Sequence, residues 1–156
     1  FYVAFPTSLI KKSNSKASGK SPADSGLRNW NGFTIAIAED ETYNLYLLTR
    51  ILKKLQVEII SFKNGKEIVD FFQDAAHQKV DLILMDIKMP GMDGYTATRL
   101  IRKIEPRIPI IAQTAYAMVE DVNKIRSSSF DDYISKPIRP GLLIEKVKKF
   151  LYPERV

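Results

Sequence analysis

The sequence predicts a doubly wound α/β domain, a parallel sheet of five strands with a helix after each. Three observations predict it. From residue 33 onward, short apolar runs alternate with segments of helical period. Three of the runs are nearly continuous in Ile, Leu, Val and Ala, as strands buried on both faces of a parallel sheet require. Acids, a hydroxyl and a lysine stand where the runs stop, and the C-terminal ends of strands are where such sheets carry their chemistry.

The first strand is predicted at 33–38 (FTIAIA), and Leu45, Leu48, Leu52 and Leu55 form the stripe of the helix after it. The second lies at 57–62 (VEIISF), followed by a helix holding Ile68, Val69 and Phe72. The third, at 81–86 (DLILMD), precedes a helix with the stripe Ala97, Leu100, Ile101 and Ile104, capped by Asp93 beside Gly94. The fourth, at 108–114 (IPIIAQT), precedes a shorter helix with Met118, Val122 and Ile125. The fifth, at 130–134 (FDDYI), leads into a helix with Leu143, Val147, Phe150 and Leu151. Right-handed crossovers then place helices on both faces of the sheet.

The segment before residue 32 is different in kind. Residues 7–31 are mostly Ser, Lys, Asn, Gly and Pro, which cannot bury enough apolar surface to offset chain entropy, so they are predicted to be a flexible linker. Trp30, near its end, is expected to pack on the domain or the linker. Gly19-Lys20-Ser21 has the look of a phosphate-binding loop but lacks the earlier glycine and a preceding strand. The chain's net charge is +6 over 156 residues. Lys11, Lys12, Lys16, Lys20 and Arg28 against Asp24 put +4 of it in residues 1–31 and leave +2 for the rest. That distribution argues against a nucleic-acid surface. No apolar run approaches the roughly 20 residues of a membrane span, and no cysteine supplies a disulfide or a thiolate metal site.

The strand ends hold the candidate chemistry. Glu39-Asp40-Glu41 ends the first, Asp86 the third and Thr114 the fourth, and Lys136-Pro137 follows the fifth. Clustered carboxylates repel unless a cation neutralises them. Oxygen ligands that leave room for water suit Mg2+, with Mn2+ as an alternative. A cation, a lysine and a hydroxyl around a carboxylate are the equipment for moving a phosphoryl group onto that carboxylate. His77 lacks an acidic neighbour and reads as a surface histidine, and Asp131 and Asp132 read as a solvated strand edge.

These motifs carry a resemblance. Glu39-Asp40, the run Met85-Asp86-Ile87-Lys88-Met89-Pro90-Gly91-Met92-Asp93-Gly94, Thr114-Ala115, Tyr133, Lys136-Pro137 and Asn64-Gly65-Lys66-Glu67 resemble a receiver domain of two-component signalling, the response-regulator fold. The resemblance covers residues 33–151, about three quarters of the chain. It implies a five-stranded parallel sheet in the flavodoxin-like order 2-1-3-4-5. It implies that Asp86 is the phosphoacceptor and that Asp40 binds the metal directly. Glu39 would act through a metal-bound water, and the Lys88 main-chain carbonyl would be a further ligand. Lys136 would pair with phosphoryl oxygens and Thr114 would hydrogen-bond one of them. Tyr133 would swing inward when Thr114 moves. Lys88 and Tyr116 occupy positions that tune water access to the phosphoryl group. Pro137 matches a bond that is commonly cis, aiming the lysine inward. Gln113 replaces a usual apolar residue. The phosphodonor would be a phosphohistidine on a histidine kinase or histidine phosphotransfer domain. No nucleic acid and no direct membrane contact are expected. The fragment would promote its own phosphorylation and dephosphorylation without being a turnover enzyme.

Phe1-Tyr2-Val3-Ala4-Phe5-Pro6 resembles the last strand of a histidine-kinase ATP-binding domain. That order, with 1–6 the remnant, 7–31 the linker and 32–156 the receiver, is the order of a hybrid sensor kinase in the cytoplasm, its parent chain a kinase anchored at a membrane. A stand-alone response regulator and a phosphorylation-independent interaction module are the alternatives. A hydrolase of the haloacid-dehalogenase kind would need a second acid where Lys88 stands.

Overall fold

The computed structural model describes residues 30–115 and 119–152. The expected kinase remnant at 1–6, the linker up to residue 29, Tyr116 and Met118 therefore lie outside the described residues. Among the described residues, five strands and five helices alternate. They are β1 (Thr34–Ala38), α1 (Thr42–Lys53), β2 (Glu58–Phe62), α2 (Gly65–Gln73), β3 (Leu82–Asp86), α3 (Gly94–Ile104), β4 (Ile110–Thr114), α4 (Val119–Arg126), β5 (Asp132–Ser135) and α5 (Pro140–Leu151). All neighbouring strands are parallel, in the order β2-β1-β3-β4-β5.

The apolar runs explain this order. Every residue of β1, β3 and β4 is buried, and these are the three central strands. The edge strands β2 and β5 are partly exposed, as Glu58, Ser61 and Asp132 in them foreshadow. Because side chains alternate faces along a strand, the sheet divides its core in two. Ile35, Ile37, Leu82, Leu84 and Ile111 face α1 and α5, packing on Leu48, Leu52, Leu143 and Val147. Ala36, Ala38, Ile83, Met85 and Ala112 face the other side, against Ile68, Phe72, Ala97, Ile101 and Ile125 of α2, α3 and α4. Each such large aliphatic side chain, fully buried, contributes on the order of 2 kcal/mol.

Helix starts are set by side chains. Asn64 Oδ1 accepts from Glu67 N at 2.9 Å, and Glu67 Oε2 accepts from Lys63 N at 2.8 Å. Asp93 Oδ1 accepts from Thr96 N at 2.7 Å, the expected cap of α3. Trp30 is 2% exposed. It donates its N–H to Leu55 O and lies near Tyr152, so the packed part of the chain includes the last residues of the expected linker segment. His77 is not a free surface group, since its ring packs on Phe71 and Phe72. No helix among the described residues is long and apolar enough to cross a membrane.

Candidate functional site

β1, β3 and β4 end side by side, and their ends form the floor of an open cleft of about 660 Å3. Asp40, Asp86, Lys88, Thr114 and Lys136 are among its lining residues. The position of each follows from the chain. Glu39 remains tied to the sheet, its N–H donating to Phe62 O at 3.0 Å, and is buried. Asp40, one residue on, is exposed. Asp86 is the last residue of the central strand β3 and is 5% exposed.

Carboxylate oxygens of Glu39, Asp40 and Asp86 all lie within 4.8 Å of one another, a group able to hold a metal ion. Lys136 reaches into this group from beyond β5. Its Nζ is 2.7 Å from Asp86 Oδ2 and 2.8 Å from Glu39 Oε2. The second contact is an ion pair without the alignment of a hydrogen bond. Lys136 is tied to β4 as well, its N–H donating to Thr114 O at 2.7 Å. The Lys136–Pro137 peptide is cis, as expected. The other oxygen of Asp86, Oδ1, accepts from Lys88 N at 3.1 Å.

The three clustered carboxylates repel one another and their pairing with Lys136 offsets only part of that charge, so the group suits a divalent cation. The titration behaviour agrees. Burial raises the Glu39 carboxyl above its ordinary value, the close contact with Lys136 lowers it only in part, and the Asp86 charge raises it further. Burial alone would lower Lys136. Its contacts with Asp86 and Glu39 outweigh burial and hold it above the usual lysine value, fully charged. The donor set is all oxygen, so a hard ion fits.

Two features make the close geometry attainable. Gly94 packs directly on the β3 end, where a Cβ would collide with the Asp86 main-chain oxygen. Gly91, in the turn leading to α3, has φ +75°, a conformation that favours glycine.

The structure brings Glu39, Asp40, Asp86, Lys88, Thr114 and Lys136 together, as expected. Tyr133 stands apart from the cleft on β5, opposite Ala112 and partly buried, with Lys146 Nζ 5.4 Å from its ring centroid. Asn44 escaped notice in the sequence. Its Nδ2 donates to Glu41 Oε2 at 2.7 Å and Glu39 Oε1 at 3.4 Å, steadying the acids from α1. Its place in the first turn of the helix that follows Glu39, five residues on, was the available signal.

Asp131 and Asp132 lie at the sheet edge, Asp131 exposed and Asp132 partly so, and both are partnered there. Asp131 accepts from Ile110 N and pairs with Arg102, and Asp132 pairs with Lys146 at 2.7 Å. Their partners stand up to 29 residues away in sequence, so charge alone could not reveal them.

The sequence matches the response regulator receiver domain family over residues 35–148. The chain belongs to that family. A similar curated protein is hybrid signal transduction histidine kinase I of Dictyostelium discoideum, 43% identical over 119 residues. The match covers 72% of this chain and 7% of that kinase, so the chain spans a small part of the relative's length. Among solved structures, the receiver domain of a sensor histidine kinase from Pseudomonas aeruginosa superposes with a TM-score of 0.70 at 31% identity. It covers 77% of this chain and 98% of that one, and was crystallised with a magnesium ion coordinated in its active-site cleft. A receiver domain from Saccharomyces cerevisiae, that of the response regulator Ssk1 in complex with the histidine phosphotransfer protein Ypd1, gives a TM-score of 0.69 at 27% identity over 76% of this chain and 88% of that one. The protein is thus a receiver domain of a two-component phosphorelay.

Proposed function

We propose that Asp86 of this receiver accepts a phosphoryl group from a phosphohistidine on a histidine kinase or phosphotransfer domain. The observation that carries the reading is the setting of Asp86. It is the last residue of the central strand, opens into the cleft, and is contacted by Lys136 on one oxygen and by Lys88 N on the other.

In the transfer, an Asp86 carboxylate oxygen attacks phosphorus and the P–N bond to the donor imidazole breaks. The bonding electrons stay on the leaving nitrogen, which takes up a proton, and Asp86 becomes an acyl phosphate. Asp40, Asp86 and the Lys88 carbonyl would hold Mg2+, with Glu39 behind a bound water. The ion would neutralise charge on the transferring oxygens. Lys136 turns its ammonium from the carboxylates to the phosphoryl oxygens, and the Thr114 hydroxyl donates to one of them. Tyr133 then moves inward on the α4–β5–α5 side. Lys88 and Tyr116 govern how water reaches the acyl phosphate. The likeness to a hybrid kinase supports a parent sensor kinase acting in the cytoplasm.

The test is intact mass after incubation with a small-molecule phosphodonor and Mg2+. Wild type is expected to gain one phosphoryl group, and Asp86→Asn none while keeping its circular dichroism spectrum. An adduct on the mutant equal to wild type sinks the assignment.

A further inference from the structure

Gln113 is the residue that neither the fold nor the transfer reaction uses. It is 0% exposed on β4, one residue before Thr114, and neither Oε1 nor Nε2 has a hydrogen-bond partner among the described residues. Burying an amide with both ends unmet is costly, whereas an apolar side chain of similar size would fill the same space without that cost. The packing therefore does not account for a glutamine.

Its position does. Gln113 pairs in register with Asp86 on β3 and with Ile134 on β5, so the three form one row on the α1/α5 face of the sheet. Its main-chain oxygen accepts from Ile87 N at 3.0 Å, immediately after Asp86. Glu39, at the end of β1, flanks Asp86 from the opposite side, and Glu39 Oε2 likewise lacks an aligned donor. An amide without a partner and a carboxylate oxygen held by its ion pair with Lys136 thus stand on either side of the phosphoacceptor. In this arrangement the Lys136 ammonium bridges both acids.

We infer that Gln113 is a positioning residue for the phosphorylation switch: when Lys136 turns to the phosphoryl group, the Gln113 amide donates to the Glu39 carboxylate that Lys136 has left. The amide unpartnered in the resting state gains its bond in the loaded one. That differential contact biases the equilibrium toward the state in which the end of β4, with Thr114, has moved. The inference rests on Asp86 being the phosphoacceptor.

Gln113→Leu and Gln113→Met in the 156-residue chain test it, with two readouts of opposite sign. Without Mg2+, both variants are expected to melt about 2–5 °C higher than wild type, because two unmet polar groups are gone. With Mg2+ present, both are expected to bind beryllofluoride, followed by NMR, about fivefold more weakly. A residue that only packs would not move the two readouts in opposite directions. Unchanged beryllofluoride affinity in both variants overturns the inference, and so does weaker binding without a higher melting temperature, which is general loosening. If wild type itself fails to bind beryllofluoride, the phosphoacceptor reading falls first and takes this inference with it.

Discussion

At the N-terminal end of the sheet, Asp81 and Asp131 each precede a strand and do the same work. Asp81 donates its N–H to Thr34 O and accepts from Thr34 N, at 2.8 and 2.9 Å. Asp131 does likewise with Ile110, at 2.9 and 2.7 Å. Each carboxylate thereby closes the first N–H of the neighbouring strand, and each has its own cation, Lys79 or Arg102. At the C-terminal end, Glu39, Asp40 and Asp86 crowd together, and one ammonium, Lys136, is divided between Glu39 and Asp86. Acids at one end are matched one to one and hold strands in register. Acids at the other are left short of charge, and a group left short is one that can still bind something. Acidic residues at strand ends are therefore no guide by themselves. The count of partners distinguishes scaffold from site.

The largest expected effect separates the two ends by metal. Mg2+ should raise the melting temperature of wild type, corresponding to about 2.7 kcal/mol at a hundredfold excess over Kd. Asp40→Ala should lose that rise, since Asp40 belongs to the acid group at the C-terminal end. Comparing melts in EDTA and in millimolar Mg2+ at matched ionic strength checks this. An equal rise in the mutant would remove the metal from that end of the sheet.

Next comes Asp131→Ala at the opposite end. It strips Ile110 N of its acceptor and Arg102 of its partner, and should cost about 2 kcal/mol by urea denaturation. Its Mg2+-dependent rise should match that of wild type. A mutant that unfolds normally but ignores Mg2+ would reverse the roles given to the two ends.

The smallest effect concerns pH. At Asp132, burial pushes the carboxyl up, but the hydrogen bond and charge of Lys146 outweigh it, so the folded value lies below the ordinary one. A depressed carboxyl stabilises the fold above its unfolded value of about 3.9 and loses that stabilisation as pH falls through the folded value. Asp132→Asn should therefore narrow the stability gap between pH 7 and pH 3 relative to wild type. Melting curves across that range check it, and an unchanged gap would discount the Lys146 pair.

How much of this was legible in the sequence depends on whether residue type or residue partner carries the information. β1, β3 and β4 were legible because two-sided burial demands uninterrupted apolar residues. β5 was expected at 130–134 and runs from Asp132 to Ser135, because Phe130 belongs to the core without belonging to the ladder. Asp40, Asp86, Thr114 and Lys136 were legible as types at strand ends. The pairing of Glu39 with Lys136, the bracing by Asn44 and the unmet amide of Gln113 were not, since each depends on what a side chain meets after folding. Asp131 shows the same limit from the other side, because its Arg102, on α3, meets it only once the chain has folded.

The central claim, that the charge-deficient end of the sheet is the phosphoacceptor site, meets its most direct test in locating the phosphoryl group. Phosphorylated wild type would be reduced with borohydride, which converts an aspartyl phosphate to homoserine, and the peptides mapped by mass spectrometry. Conversion at Asp86 alone, and only when Mg2+ is present during phosphorylation, is the expected result. Conversion at Asp81, Asp131 or Asp132, or an adduct formed equally well in EDTA, would contradict it.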